Sequence, residues 1–142
     1  MANGIVIIDK PAGWTSMDVC AKIRGILKEK RVGHGGTLDP EASGVLPICI
    51  GRATRLFDYI IDKQKTYIAE LQLGVETDTQ DATGEVVAER PVCVDEAQLR
   101  AAAAGFVGDI LQIPPMYSAL KRGGERLYKL ARRGETLEVE AR

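Results

Sequence analysis

Between residues 31 and 51 the chain sets a glycine or proline at Gly33, Gly35, Gly36, Pro40, Gly44, Pro47 and Gly51, and neither helical nor strand periodicity survives that spacing. A loop-rich segment is therefore expected here, and regular elements must lie on either side. Before it, Ile5, Val6, Ile7 and Ile8 form a short apolar run closed by Lys10-Pro11-Ala12-Gly13, which predicts a buried strand entering a turn. Thr15 or Ser16 can then cap a helix; with Thr15 as cap, Asp18 is the capping-box acid, and Val19, Ile23, Ile26 and Leu27 recur at helical spacing. After the loop segment, residues 54–61 predict a short helix. Residues 66–73 alternate, so that Tyr67, Ala69, Leu71 and Leu73 share one face of a strand. A polar turn at 77–84 and a hairpin return at 85–88 follow. Asp95 suits the cap of a helix running from Glu96 to about Phe106 with Leu99, Ala102, Ala103 and Phe106 apolar, and residues 124–133 predict a last helix carrying Leu127, Leu130 and Ala131. With no regular βαβ rhythm, the expected class is α+β: a mixed, largely antiparallel sheet flanked by helices.

Composition restricts the function. The chain has 142 residues, 45% hydrophobic and 27% charged, the balance of a soluble globular domain. No run of 18 apolar residues occurs, and Asp9 and Lys10 directly follow the first apolar stretch, so neither a membrane span nor a signal peptide is expected and the cytoplasm is the expected location. Cys20, Cys49 and Cys93 lie far apart without metal-binding spacing and are expected to be reduced and buried. The net charge of -1 is unevenly spread. Residues 20–31 carry Lys22, Arg24, Lys28, Lys30 and Arg31 against Glu29, and residues 121–133 carry Lys121, Arg122, Arg126, Lys129, Arg132 and Arg133 against Glu125. Such segments serve either as solvated helix faces or as a face that tracks phosphates.

The stretch most able to carry chemistry runs from Gly33 to Gly44. Its glycines let backbone approach a ligand, and Pro40 stiffens the turn just after Asp39, presenting a carboxylate on a rigid loop. An Asp-Pro pair between glycines is more often a simple turn or Asx cap. The spacing fits neither a phosphate loop nor a dinucleotide fingerprint. His34 is the only histidine, which excludes a metal site needing two imidazoles.

The string VGHGGTLDPEASGVLPICIGRATR at 32–55 closely resembles the signature of the TruB family of pseudouridine synthases. IDKPAGWTS at 8–16, KTYIAELQLGVETDTQDATGEV at 65–86 and IPPMYSALKRGGERLYKLARRGE at 113–135 resemble the same family in the same order. The resemblance implies an isomerase that converts a uridine in the T arm of tRNA to pseudouridine after flipping it out, with Asp39 as nucleophile, Tyr67 against the uracil and His34 against the flipped nucleotide. Lys22, Lys121, Arg122, Arg126 and Lys129 are the expected contacts to the RNA backbone. Neither a metal nor an organic cofactor is implied, nor a membrane partner. The sequence departs from the family at Gly35, where threonine, serine or alanine is the commoner residue. Family members continue for about as long again, into a strand reading approximately GTYIR whose arginine pairs with the aspartate, and into a C-terminal RNA-binding domain. Residues 1–142 are thus expected to be the N-terminal half of a catalytic domain, inactive alone, with a complementary second-half chain as a possible partner and a monomer when complete. The alternatives are a catalytically silent RNA-binding module, a guide-RNA-dependent relative and, remotely, a hydrolase using Asp39 with Glu41.

Overall fold

In the computed structural model, which describes residues 2–61, 64–118 and 120–141, the apolar run after Asn3 forms β1 (Gly4–Lys10). With β2 (Val32–His34) and β3 (Gly44–Ile50) it makes an antiparallel sheet of order β1-β3-β2. Two of its three strands thus lie inside the segment expected to be loop. The proline that disguised β3 does no harm there. Pro47 turns its carbonyl toward the β2 side, where it accepts the Gly35 N–H at 2.7 Å, and β2 has already ended at His34, so the ladder asks no amide of position 47.

α1 (Ser16–Leu27) begins as its sequence dictates. The Thr15 hydroxyl accepts from the Asp18 amide at 3.1 Å, and the Asp18 carboxylate accepts from the Thr15 N–H at 2.9 Å. The helix buries Val19 and Cys20 against Val32, Leu46, Ile48 and Ile50, with Ile8, Ile23 and Leu38 packed around them. Ile26 and Leu27, expected on that face, are 63% and 41% exposed. β1 is likewise less buried than expected. It is an edge strand, and Ile5, Val6 and Ile7 are all exposed. After β3, a 3-10 turn (Gly51–Leu56) leads into α2 (Phe57–Ile61), as expected for 54–61.

These elements belong to one compact unit, Met1–Ile68, and the remainder forms a second, Ala69–Arg142. The expected strand at 66–73 does not form: a strand needs a neighbour to share its amides, and no described segment takes these residues into a ladder. The hairpin does form, as β4 (Val75–Thr77) with β5 (Val86–Glu89). Its polar turn is organised by Asp81, whose carboxylate accepts from the Thr83 amide at 2.8 Å, the Thr83 hydroxyl at 2.6 Å and the Thr79 hydroxyl at 2.7 Å. α3 (Glu96–Ala104) is capped by Asp95 and Gln98 and ends before Phe106. The expected helix at 124–133 is shorter. Gly123 and Gly124, with φ of 61° and 88°, make a two-residue hairpin turn between β6 (Lys121–Arg122) and β7 (Glu125–Arg126), a conformation only glycine adopts freely. α4 (Leu127–Ala131) follows, burying Leu127 and Leu130. Every strand pairing among the described residues is antiparallel. Cys20 and Cys49 are buried, and burial pushes both thiols up. Cys93 is exposed, contrary to expectation, in the extended segment before α3. No described helix is long and apolar enough to cross a membrane.

Candidate active site

β2 delivers His34 to the start of a nine-residue connection, and β3 collects the chain at Gly44. Two glycines shape the exit. Gly36 has φ of 143°, and a Cβ on Gly35 would stand 2.7 Å from Ile60 Cγ2, so the α2 methyl occupies the volume a side chain would need. The imidazole of His34 turns back onto this bend and donates its Nδ1–H to the Gly36 carbonyl. That bond orients the ring and leaves Nε2 as the nitrogen not engaged by the bend. The chain then turns at Asp39-Pro40-Glu41-Ala42, closed by the Ala42 N–H to Asp39 carbonyl bond of 3.1 Å, with proline at the position whose φ it presets.

What holds this loop is the segment that links β1 to α1. Lys10, the last residue of β1, is completely buried, and its Nζ donates to the carbonyls of Pro11 at 2.9 Å, Trp14 at 2.7 Å and Pro40 at 3.0 Å. Three carbonyl acceptors require three hydrogens, so the group is an ammonium with every donor used. Burying it is tolerable because these three dipoles replace its hydration. Gly13 adds its N–H to the same Pro40 carbonyl at 2.8 Å. Ser16, also buried, accepts from the Leu38 amide at 3.0 Å and donates to the Leu38 carbonyl at 3.2 Å. The residues flanking Asp39 on both sides are thereby tied to one turn. The Asp39 side chain itself is exposed and has no hydrogen-bond or ion-pair partner among the described residues.

His34 and Asp39 therefore share one braced connection. Tyr67 is 59% exposed in an irregular stretch and makes no hydrogen bond or ring contact with the described residues. Lys22 is exposed on α1, whereas Arg24 is spent on the Val32 carbonyl at 2.6 Å. In the second unit Lys121 and Arg126 stand directly opposite each other across the β6–β7 hairpin, and both are exposed, as is Lys129 on α4. The backbone of Arg122 lies in β6, and its side chain lies outside the described residues. Arg133 and Arg132 are committed elsewhere: Arg133 pairs with Glu125 at 2.8 Å and Glu135 at 2.7 Å, and Arg132 lies over the Tyr128 ring. A shallow hollow of about 240 Å³ between β4 and residues 90–94 offers neither carboxylate nor imidazole.

Sequence reasoning missed Lys10 and the two bonds between Ser16 and Leu38. A lysine terminating an apolar strand reads as a surface residue. The only available signal was its place before Pro11 in a turn whose carbonyls need a donor.

Comparison with known proteins gives the family of the chain. The model of the TruB family pseudouridylate synthase N-terminal domain matches residues 24–142. A tRNA pseudouridine synthase B of Stutzerimonas stutzeri is 53% identical over 140 residues, covering 99% of this chain and 46% of that protein. One from Bacillus licheniformis is 53% identical over 142 residues, covering 99% and 45%. Among solved structures, a chain of a Cbf5–Nop10–Gar1 complex aligns with a TM-score of 0.57 and 32% identity over 84% of this chain and 31% of its own length. A chain of an archaeal box H/ACA Nop10–Cbf5 complex gives a TM-score of 0.53 at 32% identity, over 78% and 30%. The chain spans about half the length of the curated relatives it matches.

Proposed function

Because this chain belongs to the TruB family of pseudouridylate synthases, we propose that it forms the nucleophile-bearing N-terminal half of the catalytic domain of a tRNA pseudouridine synthase acting on a T-arm uridine. The observation that carries this reading is the bracing of Asp39. Its flanking backbone is fixed by Lys10, Gly13 and Ser16, while its carboxylate is left unpaired among the described residues. A nucleophile held this way meets its target without reorganisation, and a misplacement of about 1 Å can cost on the order of 100-fold in rate.

In the reaction the C1′–N1 bond breaks, with N1 keeping the bonding pair. The uracil turns, C5 bonds to C1′, and the proton lost from C5 is balanced by one gained at N1. Attack by Asp39 at C1′ and addition at uracil C6 are both compatible with a carboxylate presented on this loop. The target base has to leave its stack, at a cost of a few kcal/mol. His34 and Tyr67 are assigned to hold the flipped nucleotide, and the oriented imidazole of His34 supports its share of that role. Lys121 and Arg126, like charges face to face, repel each other unless an anion lies between them, which supports contact of this hairpin, with Lys129 and Lys22, to RNA phosphates.

The test is Asp39→Asn in the complete protein, which should abolish pseudouridine formation while leaving tRNA affinity within several fold. Loss of binding together with activity would make Asp39 structural. tRNA binding by the wild type without Asp39-dependent product would favour a silent RNA-binding module.

A further inference from the structure

Trp14 is the single tryptophan of the chain, and nothing in the proposed chemistry employs it. It sits in the turn that braces the nucleophile loop. Its neighbour Gly13 donates to the Pro40 carbonyl at 2.8 Å, Ser16 two residues on exchanges two hydrogen bonds with Leu38, and its own carbonyl shares the Lys10 ammonium with that of Pro40. Trp14 is therefore flanked on both sides by residues bonded to the positions on either side of Asp39. Its backbone is tied to the backbone on either side of Asp39 by the Gly13 amide, the buried Ser16 hydroxyl and the buried Lys10 ammonium. Trp14 nevertheless remains 39% exposed, and Met17, in the first turn of α1, is 51% exposed. A large aromatic fixed beside a reactive loop and left partly in water has unspent surface.

A local packing role would account for only part of Trp14. It precedes the Thr15 cap, and the residue that a staple at this position would meet is Val19, which is 4% exposed. Such a staple would use only the apolar body of the ring, and leucine would serve it equally well.

We propose that Trp14 is a stacking platform for an unpaired base next to the nucleotide presented to Asp39. This rests on the RNA-modifying reading above and extends it to a contact outside the target nucleotide. The physical reason lies in the flipping step. Taking one nucleotide out of a stack strips its neighbour of a stacking partner, and an indole at the edge of the site replaces that partner and favours the open state. Stacking is tolerant of base identity, so Trp14 contributes affinity for opened RNA rather than sequence choice.

The test compares Trp14→Leu, which keeps an apolar side chain before the Thr15 cap but has no aromatic face, with Trp14→Phe, which keeps both. In the complete protein, Trp14→Leu should lower kcat/KM for an unmodified tRNA transcript about tenfold, mainly through KM, with the melting temperature little changed, and Trp14→Phe should recover most of the loss. A direct readout uses a T-arm stem-loop carrying 2-aminopurine on each side of the target uridine in turn, bound by the Asp39→Asn form so that turnover is blocked. At one of the two positions the probe should be quenched, and adding Trp14→Leu should restore its emission. Asp39-dependent product formation with wild-type kinetics for Trp14→Leu and an unchanged probe would overturn the stacking role while leaving the proposed function standing. Absence of any Asp39-dependent product would overturn both.

Discussion

Lys10→Met tests the bracing of the nucleophile loop most directly. Methionine approximates the length of the lysine stem and fills the same buried volume, so the substitution removes the ammonium without opening a large cavity. Three carbonyls lose that donor, but not equally. Pro40 still accepts from the Gly13 amide at 2.8 Å, whereas those of Pro11 and Trp14 keep no other donor among the described hydrogen bonds. A buried carbonyl left unsatisfied costs about 1–3 kcal/mol. Pro11 and Trp14 are both exposed residues, so water can reach their carbonyls in part and the lower end applies, about 2–3 kcal/mol for the two. For a cooperative unit of 60–100 residues each kcal/mol shifts the melting temperature by about 4–8 °C, so a fall of about 8–24 °C is expected. Activity should fall by more than the unfolded fraction explains. With the Lys10 bond gone, Pro40 is held by Gly13 alone and Leu38 by Ser16, and a shift of about 1 Å in Asp39 is worth on the order of 100-fold. The assay pairs thermal melts of wild type and variant, followed by circular dichroism, with product formation by the complete protein at a temperature where both are folded. A melting temperature within about 2 °C of wild type, together with unchanged turnover, would refute the assignment of Lys10 as the brace.

Gly35→Ala should destabilise the protein by about 1–3 kcal/mol through overlap of the new methyl with Ile60 Cγ2, and most of that cost should vanish in an Ile60→Ala background; equal costs in both backgrounds, measured by denaturant unfolding, would remove Ile60 as the reason for glycine here. Neutralising Lys121, Arg126 and Lys129 together should flatten the logarithmic salt dependence of tRNA binding by roughly 2 to 3, and an unchanged slope would return these residues to the role of a solvated face. Hydrogen bonds from the Thr15 hydroxyl and amide hold the Asp18 carboxyl below its ordinary value of 3.8. Because the folded value is depressed, the capping box stabilises α1 above that pH, and the stabilisation is lost as pH falls through the folded value. The stability difference between wild type and Asp18→Ala should therefore shrink on acidification, and a difference that does not change with pH would show the box to contribute through its neutral hydrogen bonds alone.

The sequence by itself determined the features whose causes lie within a few residues of one another. The Thr15–Asp18 box sets the start of α1, Asp95 with Gln98 sets the start of α3, and the apolar run before Lys10 makes β1, since each depends on bonds or periodicity inside one short window. The GTLDP string also made Asp39 a candidate, and the family resemblance carried by that string agrees with the match over residues 24–142. Partners distant along the chain were decided by tertiary structure. β3 was hidden because Pro47 forbids a ladder bond in general, and only the ending of β2 at His34 makes proline harmless at that place. The strand expected at 66–73 failed for the converse reason, since alternation makes a strand possible but only a neighbour makes it form. Burial of Lys10 was illegible because a charged strand end is ordinarily exposed. It is buried here because folding brings the Pro40 carbonyl, thirty residues away, onto the same ammonium as those of Pro11 and Trp14. Local chemistry thus identified the loop that carries Asp39, and long-range hydrogen bonding decided how rigidly it is held.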